Sequence, residues 1–553
     1  MIKDRLAQLL IQTVDRLQKQ GKIPDFELPQ VTLEHPQNPE FGDYASPLAL
    51  KISRTVSVKP ITIAENIAGA IAPVPELETV KVAAPGFINF TLSNGWLTKQ
   101  VDSILEAGDT YGNLNLGDGN KVQIEFVSVN PTGPLHVGHG RGAILGSVLA
   151  GVLTACGYIV QREYYINDAG TQTMLFAHSL YARYRQELGK GADMPTNGYV
   201  GKYMIDLAKE IIAREKDRFL NIPEQDAISE LGRIGLAMMI EHIKEDLEAL
   251  GVNFDVWFSE QSLYDNGQYS KAMSILDKKG FVMKKEDATW FVSTSLGEDK
   301  DNVVLRGDGT PTYFAADIAY HYNKFTERRF DKVIDIWGAD HQGHVSRMKT
   351  AIDALGIDPE RLGVIIVQLV TLRRGSNIVR VSKRSGDIIT LREVIDEVGA
   401  DACRFFFLSR AADSQMDFDL ELAKKQSADN PVYYVQYAHA RIASILRLAR
   451  EKGIDFCNGD VSLLTSEPEL TLIRKMLILP ELMEVVANTL EPHHLAYYAQ
   501  EIASVFHGFY TQCRVVSHQD NELSKARLKL VAAAKQVLAR TLYLMGMSAP
   551  EKM

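Results

Sequence analysis

The chain has 553 residues, 46% of them hydrophobic and 24% charged, with a formal net charge of −10. That length exceeds a single hydrophobic core and calls for two to four domains. No apolar run approaches the roughly 18 residues of a membrane helix, the start "MIKDRLAQLLIQTVDRLQKQ" has no signal-peptide core, and the scattered Cys156, Cys403, Cys457 and Cys513 contain no CxxC pair, so a chain without membrane partner, disulfide framework or cysteine zinc site is expected, in a cytoplasmic, reducing setting.

In chain order, residues 1–115 read as an α+β unit. Helical periodicity over Ile2–Lys19 is followed by the strand-like "VTLEHP", a helix near Thr62–Ile71, the strand-rich "VKVAAPGFINFTLS" and a helix over Asn94–Ala107. "AGDTYGNLNLGDGNK" is a linker by its glycines and turn residues. Residues 116–415 then alternate strand and helix. "KVQIEFVSVN" is an apolar strand of the buried, parallel kind, a helix follows to about Ala155, and "YIVQREYYIND" is the next strand. A helical insertion is expected over about 170–300, after which "DKVIDIWGAD", a helix over His344–Leu355 and "LGVIIVQLVTL" resume the alternation. Residues 416–553 show only amphipathic helices, with near-neutral charge. The fold class is therefore α/β: a Rossmann-type parallel-sheet domain split by an insertion, between an N-terminal α+β domain and a C-terminal all-helical domain.

The stretch "SVNPTGPLHVGHGRGAILG", Ser128–Gly146, joins the first buried strand to its helix. A helix starting there aims its unpaired N–H groups and positive dipole end at the sheet's crevice, which suits an anion. The stretch is neither a Walker A loop nor a GxGxxG in the dinucleotide register. It carries two imidazoles instead, His136 and His139, three residues apart on one helical turn, with Gly138 between them. Both can donate to a phosphate that gains charge in a transition state. A second basic concentration, "LRRGSNIVRVSKRSGD", follows the last apolar strand.

His136-Val137-Gly138-His139 resembles the "HIGH" motif of class I aminoacyl-tRNA synthetases, and Arg380-Val381-Ser382-Lys383-Arg384 stands where their "KMSKS" loop lies. The central serine and lysine match; Arg380 and Arg384 depart from the pattern. Longer strings, among them "EFVSVNPTGPLHVGHGRGA", "YYINDAGTQ", "TYFAADIAYH", "WGADHQGHV", "DACRFFFLSRAADSQMDFDLELA" and "NPVYYVQYAHARI", are similar to the arginyl-tRNA synthetase family nearly end to end. The resemblance implies activation of L-arginine by ATP and transfer to the terminal adenosine of tRNA(Arg). It assigns catalysis to His136, His139 and Lys383, and ATP binding to those three with Gly138, Ser382 and Arg384. Mg²⁺ would arrive with the ATP phosphates, and no zinc is implied. It further implies tRNA binding by the first domain and anticodon binding by the last.

Guanidinium has five donors and no acceptor, so arginine recognition needs buried acceptors. Glu125 is a carboxylate inside the apolar "VQIEFV", and Asp317 sits among apolar neighbours in "TYFAADIAYH", one helical turn beyond Tyr313. The resemblance places Glu125, Asn130, Tyr313 and Asp317 at arginine-contacting positions, with Gln342 as a further contact and His341 and His344 along the adenosine pocket. For tRNA the candidates are Phe87 and Asn89 in "GFINF" and Tyr433, Tyr437 and Arg441 in the last domain, where aromatics can stack on bases and arginine can meet phosphate; core packing is the alternative for each tyrosine. Three rival readings remain open: an HxGH nucleotidyltransferase acting on a small substrate, an RNA-binding protein without catalysis, and a synthetase for another amino acid such as cysteine.

Overall fold

The computed structural model describes residues 1–379, 389–517 and 520–553. Its first helix, Ile2–Lys19, buries Leu6, Leu9, Leu10, Val14 and Leu17 at helical spacing. This face packs on helix Pro60–Ala70. That helix in turn lies on an antiparallel sheet of β1 (Tyr44–Ser46), β2 (Leu77–Ala83) and β3 (Phe87–Leu92), with β3 in the middle. "VTLEHP" supplies one bridge, Glu34 to Ala45, rather than a strand. Pro29 and Pro36 flank it and have no N–H with which to extend a ladder.

The central sheet begins with β4 (Lys121–Glu125) and β5 (Ile159–Ile166), joined by helix Val137–Ala155. A side chain at Gly146 would strike the Phe126 ring, so glycine lets this helix lie directly against the strand's exit. The helices Thr171–Glu187, Lys202–Glu215 and Glu224–Ala249 follow and share a separate hydrophobic core. The stretch expected to stay helical to about 300 then changes character. β6 (Val256–Ser259) rejoins the parallel sheet beside β5, and β7 (Val282–Lys285), β8 (Ala288–Phe291) and β9 (Asn302–Leu305) form a small antiparallel sheet. The β7–β8 hairpin turns on Glu286 and Asp287, with φ of 53° and 59°. Such a two-residue turn usually advertises itself with Asn-Gly or Asp-Gly, and this one does not.

Helix Tyr313–Tyr322 runs on into a π-helical turn, Asn323–Glu327, and leads to β10 (Lys332–Gly338). Helix Val345–Leu355 and β11 (Leu362–Val367) complete the sheet. The short β12 (Val370–Arg374), β13 (Asn377–Ile378) and β14 (Met416–Asp419) stand beyond it. The parallel order is β11-β10-β4-β5-β6. The order reverses at β4, with β5 on one side and β10 on the other, which opens a crevice beyond its carboxyl end.

From residue 420 on, the described residues contain no strand. Helices Pro431–Glu451, Glu467–Thr489, His494–Gln512 and Asn521–Leu544 pack together and share one continuous hydrophobic cluster with the first unit and the central sheet. The first unit also docks on this bundle through polar contacts. Arg474 Nε donates to Asp43 Oδ1 at 2.7 Å, and buried Glu481 accepts from Tyr44 Oη and faces His35 Nε2 at 3.0 Å.

Arg404 ties four distant segments together. It is 2% exposed. Its Nε donates to the Met545 carbonyl at 2.7 Å, Nη1 to those of Leu250 and Gly251 at 3.0 and 3.2 Å, and Nη2 to Ser147 Oγ at 3.1 Å. Arg404→Met keeps the bulk but strands these acceptors in a buried place. The loss expected is about 3 kcal/mol or more, since each bond to a charged donor is worth about 1.5–3 kcal/mol. Urea unfolding followed by circular dichroism measures it, and an unchanged midpoint would show that water replaces the guanidinium without cost.

Candidate functional site

The crevice at β4 has two walls of opposite chemistry. The first is the mouth of helix Val137–Ala155. The chain leaves β4 through Val127 and Ser128 at φ 69° and 42°, a costly region for a β-branched residue. This turn is pinned on β5: Tyr165 N donates to Ser128 Oγ at 3.0 Å and Tyr164 Oη to the Val129 carbonyl at 2.9 Å. His136 and His139 then cap the helix. Gly138 N donates to His136 Nδ1 at 3.1 Å and His136 N to His139 Nδ1 at 3.2 Å, and the two rings stack 3.5 Å apart. With Nδ1 accepting, a neutral ring carries its proton on Nε2. A Cβ on Gly138 would stand 2.9 Å from the His136 ring, so glycine is required for this stack.

The same helix turn is anchored by Arg141, which is fully buried and was not singled out in the sequence. Its guanidinium donates to the carbonyls of Gln368, Ser414 and Ala411 at 2.9, 2.7 and 2.7 Å. Leu391 N donates to the Leu135 carbonyl at 2.8 Å, and Thr390 bridges His136. Ser382, Lys383 and Arg384, and Arg380 beside them, lie outside the described residues.

The second wall is acidic. Asp335, Glu125 and Glu163 stand opposite one another in the register of β10, β4 and β5, so three carboxylates form one row on one sheet face. The helix across that face brings the cations. Lys324 Nζ lies 2.6 Å from Glu125 Oε2 and 2.8 Å from Asp335 Oδ1. Arg328 holds Glu163 with both terminal nitrogens, and Tyr320 Oη also donates to that carboxylate. His321 spans Asp335 Oδ2 and the Asp317 carbonyl, each at 2.8 Å. Burial would raise Asp335, but Lys324 and His321 outweigh it and hold its carboxyl at about 2. Burial lifts Glu125 above the usual carboxylate range against the pull of Lys324.

Beyond this row lies a pair in which burial prevails, since His321 and Lys324 pull Asp317 down without overcoming it. Asp317 is pushed up to about 6 by burial and by the charges of Glu125 and Asp335. Glu260, directly after β6 and 4% exposed, is pushed up to about 7 by burial and by Asp317. Among the described residues neither carboxylate forms an ion pair. The Asn167 amide, with its nitrogen turned to donate, gives hydrogen bonds to Glu260 Oε2 at 3.0 Å and to the Ala169 carbonyl at 3.1 Å, and its oxygen then lies 3.0 Å from the Asn130 amide. Asn130 Nδ2 donates to Gln172 at 2.6 Å. Tyr313 is 49% exposed at the helix start, and its hydroxyl lies beside Gly170.

Glu125, Asn130, Tyr313 and Asp317 therefore converge on one cleft, joined by Glu260, which was not anticipated. Gln342 lies on the exposed 3₁₀ turn Ala339–His344 with His341, whose ring is 5.5 Å from that of His344. Among the described residues no hydrogen bond or ion pair joins Gln342 to the acidic cleft. Glu260 carried only a weak signal, an acid directly after a four-residue strand. Asp335 and Glu163 did carry one: like Glu125, each is an acid inside an apolar strand.

Farther away, Tyr433, Tyr437 and Arg441 share a face of helix Pro431–Glu451, all half-buried. The tyrosine rings stack 5.8 Å apart and the Arg441 guanidinium lies 4.9 Å over Tyr437 and 5.2 Å over Tyr510. Phe87 is half-buried on β3, whereas Asn89 is 6% exposed inside that sheet and turns little surface outward. Among the described residues no group of three or more His, Cys, Asp or Glu is arranged to hold a metal ion, and no helix is long and apolar enough to cross a membrane.

Three family models match in succession: the arginyl tRNA synthetase N terminal domain over residues 1–92, the class I (R) tRNA synthetase catalytic domain over 100–441, and the DALR anticodon binding domain over 435–553. Arginine--tRNA ligase of Dehalococcoides mccartyi is 57% identical over 553 residues, covering 100% of this chain and 99% of the relative. Arginine--tRNA ligase of Carboxydothermus hydrogenoformans is 50% identical over 524 residues, 94% of each chain. The fold agrees with the solved arginyl-tRNA synthetases of Thermus thermophilus and Plasmodium falciparum. Their TM-scores are 0.77 and 0.76 at 22% and 19% identity, with 100% of this chain covered by each and 100% and 99% of theirs. On the family models and on full-length identity to its relatives, the chain belongs to the arginyl-tRNA synthetase family.

Proposed function

We propose that the chain is an arginine--tRNA ligase that joins L-arginine to tRNA(Arg) at the expense of ATP. The observation that carries the substrate assignment is the pair Asp317 and Glu260: two packed-in carboxylates without an ion-pair partner among the described residues, beside a row whose acids are already paired. A planar cation with several donors fits there. Lysine, with the same charge on a compact ammonium, would leave acceptors unpaired, each at a cost of about 1–3 kcal/mol. Glu125 and Tyr313 line the same cleft, and Asn130 is suited to the substrate's α-amino or carboxylate group. Gln342 stands as a further contact that would have to swing in.

In the first step the arginine carboxylate oxygen attacks the α-phosphorus of ATP and diphosphate leaves. In the second, the 2′- or 3′-hydroxyl of the terminal adenosine attacks the mixed anhydride and AMP leaves. Neither step needs a covalent enzyme intermediate, so positioning and electrostatics carry them. The Nε2–H groups of His136 and His139 at the helix mouth suit the phosphate oxygens. Ser382, Lys383 and Arg384 are assigned to the same task by their motif alone. Mg²⁺ would come with the ATP phosphates; the mouth itself offers imidazoles rather than carboxylates. Tyr433, Tyr437 and Arg441 offer a stacking and phosphate-binding face for the anticodon, and Phe87 a weaker one for the tRNA body. The setting is cytoplasmic protein synthesis.

Charging of a total tRNA pool with each amino acid in turn tests the assignment: arginine alone should be attached, and attachment of any other amino acid in its place would overturn it. His139→Ala should lower the rate of charging by about 10²-fold, the effect of losing one transition-state donor, in a protein that stays folded; a near-normal rate would remove His139 from the phosphate site. A pH dependence follows from Asp317 at about 6 and Glu260 at about 7. Both are raised, so they are protonated in the lower part of that window and ionised above it, while the guanidinium stays charged throughout. kcat/KM for arginine should therefore rise from about pH 5.5 to about pH 7.5 and then level off. Asp317→Asn should flatten the acid side of that profile while raising KM for arginine, and an unaltered profile would place the guanidinium elsewhere.

A further inference from the structure

Lys324 takes no part in the reading above, yet it is a fully enclosed cation in the acidic wall. Lys324 and Asp335 side chains are 0% exposed, whereas Glu125 keeps 10% of its side chain open. Glu125 is thus the member of this trio that reaches the cleft, and Lys324 lies behind it. The ammonium is 2.6 Å from one Glu125 oxygen and 4.2 Å from the Tyr320 ring centroid. A substrate in the cleft has no route to it.

The geometry points to Lys324 as a positioning residue for arginine recognition: it grips one oxygen of Glu125 from behind and so keeps that carboxylate ionised and aimed at the guanidinium. The inference rests on Glu125 being an arginine contact. Lysine suits the place because a compact ammonium can serve two carboxylates on adjacent strands at once. It arrives there on the π-helical turn Asn323–Glu327, where the wider i→i+5 closure shifts residues around the helix axis. Asp317 and Tyr313 ride on the preceding turns of the same helix. One rigid element therefore holds Glu125 from behind and presents Asp317 from the front.

Removing the ammonium leaves Glu125 beside Asp335 as like charges in one buried row, and such a pair takes up a proton. A protonated Glu125 is a poorer acceptor for guanidinium. The groups facing Glu125 are Asp335 on β10, Glu163 and Tyr165 on β5, Asp317, Tyr320, His321 and Lys324 on the helix, and Arg328 directly after it. After loss of Lys324, His321 is left beside Asp335, Arg328 on Glu163 and Arg347 toward Asp317, and among the described residues none of the three pairs with Glu125.

The test is tRNA charging by the full chain between about pH 6.5 and 9, with KM for arginine and for ATP and kcat measured for the parent, Lys324→Met, Lys324→Arg and Glu125→Gln. For Lys324→Met the expected result is an arginine KM at least about tenfold higher at neutral pH. That KM should keep falling to the alkaline end, where the parent is already flat, with ATP KM unchanged. Lys324→Arg, which keeps the charge, should retain the parent's pH profile. A folded Lys324→Met with parental arginine KM at every pH, or with arginine and ATP KM raised alike and independent of pH, overturns the inference. If Lys324→Met does not fold, Lys324→Arg decides, and an alkaline-shifted profile in that variant overturns it too. Glu125→Gln separates the two levels. Unchanged arginine KM there removes the underlying reading of Glu125, whereas a raised KM there with a parental Lys324→Met removes only the role of Lys324.

Discussion

Three carboxylates in one row across the middle of a buried parallel sheet cannot stand unpaired, and much of the catalytic half is arranged around that fact. Charges taken out of water cost several kcal/mol each unless partners meet them. Asp335, Glu125 and Glu163 are met by Lys324, Arg328, His321 and Tyr320, all from one helical element of 15 residues, Tyr313 to Glu327, and the residue after it. The cations fix where that element lies and how it is rotated. Asp317 and Tyr313 inherit their places from this docking. The acidic cleft is thus shaped by a charge balance carried out one layer below it.

The crevice at β4 separates two electrostatic tasks by a few residues of chain. On one side, a helix N-terminus with two imidazoles and an anchored arginine favours negative phosphate. On the other, packed-in acids favour a cation. Both begin at the carboxyl end of β4: Glu125 is its last residue, and the strained turn at Val127 and Ser128 sends the chain on to His136. On the proposed function, this short connection would set the spacing between the amino acid's carboxylate and the nucleotide's phosphate, which a direct attack between two bound substrates requires.

Most of this architecture is written in patterns that can be read locally. Helix Ile2–Lys19, the βαβ unit from Lys121 to Ile166 and the helical last third follow from periodicity, and His136-Val137-Gly138-His139 marks the helix mouth. What escapes has a physical reason in each case. The β7–β8 hairpin turns on Glu-Asp, which lacks the usual turn chemistry. The strand expected at "VTLEHP" is cut down by its prolines. Glu260 gains its character from burial and then from Asp317, which lies 57 residues away in sequence. Lys324 looks like an ordinary solvent-facing lysine in "HYNKFTERR" until the sheet register aligns its two acids. Pairings between distant segments, rather than local preferences, decide these residues.

The four segments gathered by Arg404 also impose an order in time. Leu250, Gly251 and Ser147 precede it on the ribosome, but the Met545 carbonyl lies 141 residues later. At synthesis rates of about 5–20 residues per second, the guanidinium waits roughly 7–28 s for its last acceptor. During that interval helix Ala400–Leu408 has a buried charge only partly satisfied. The nascent catalytic half is thus a looser body than the finished one, and it tightens only when the C-terminal turn after helix Asn521–Leu544 has folded back onto it.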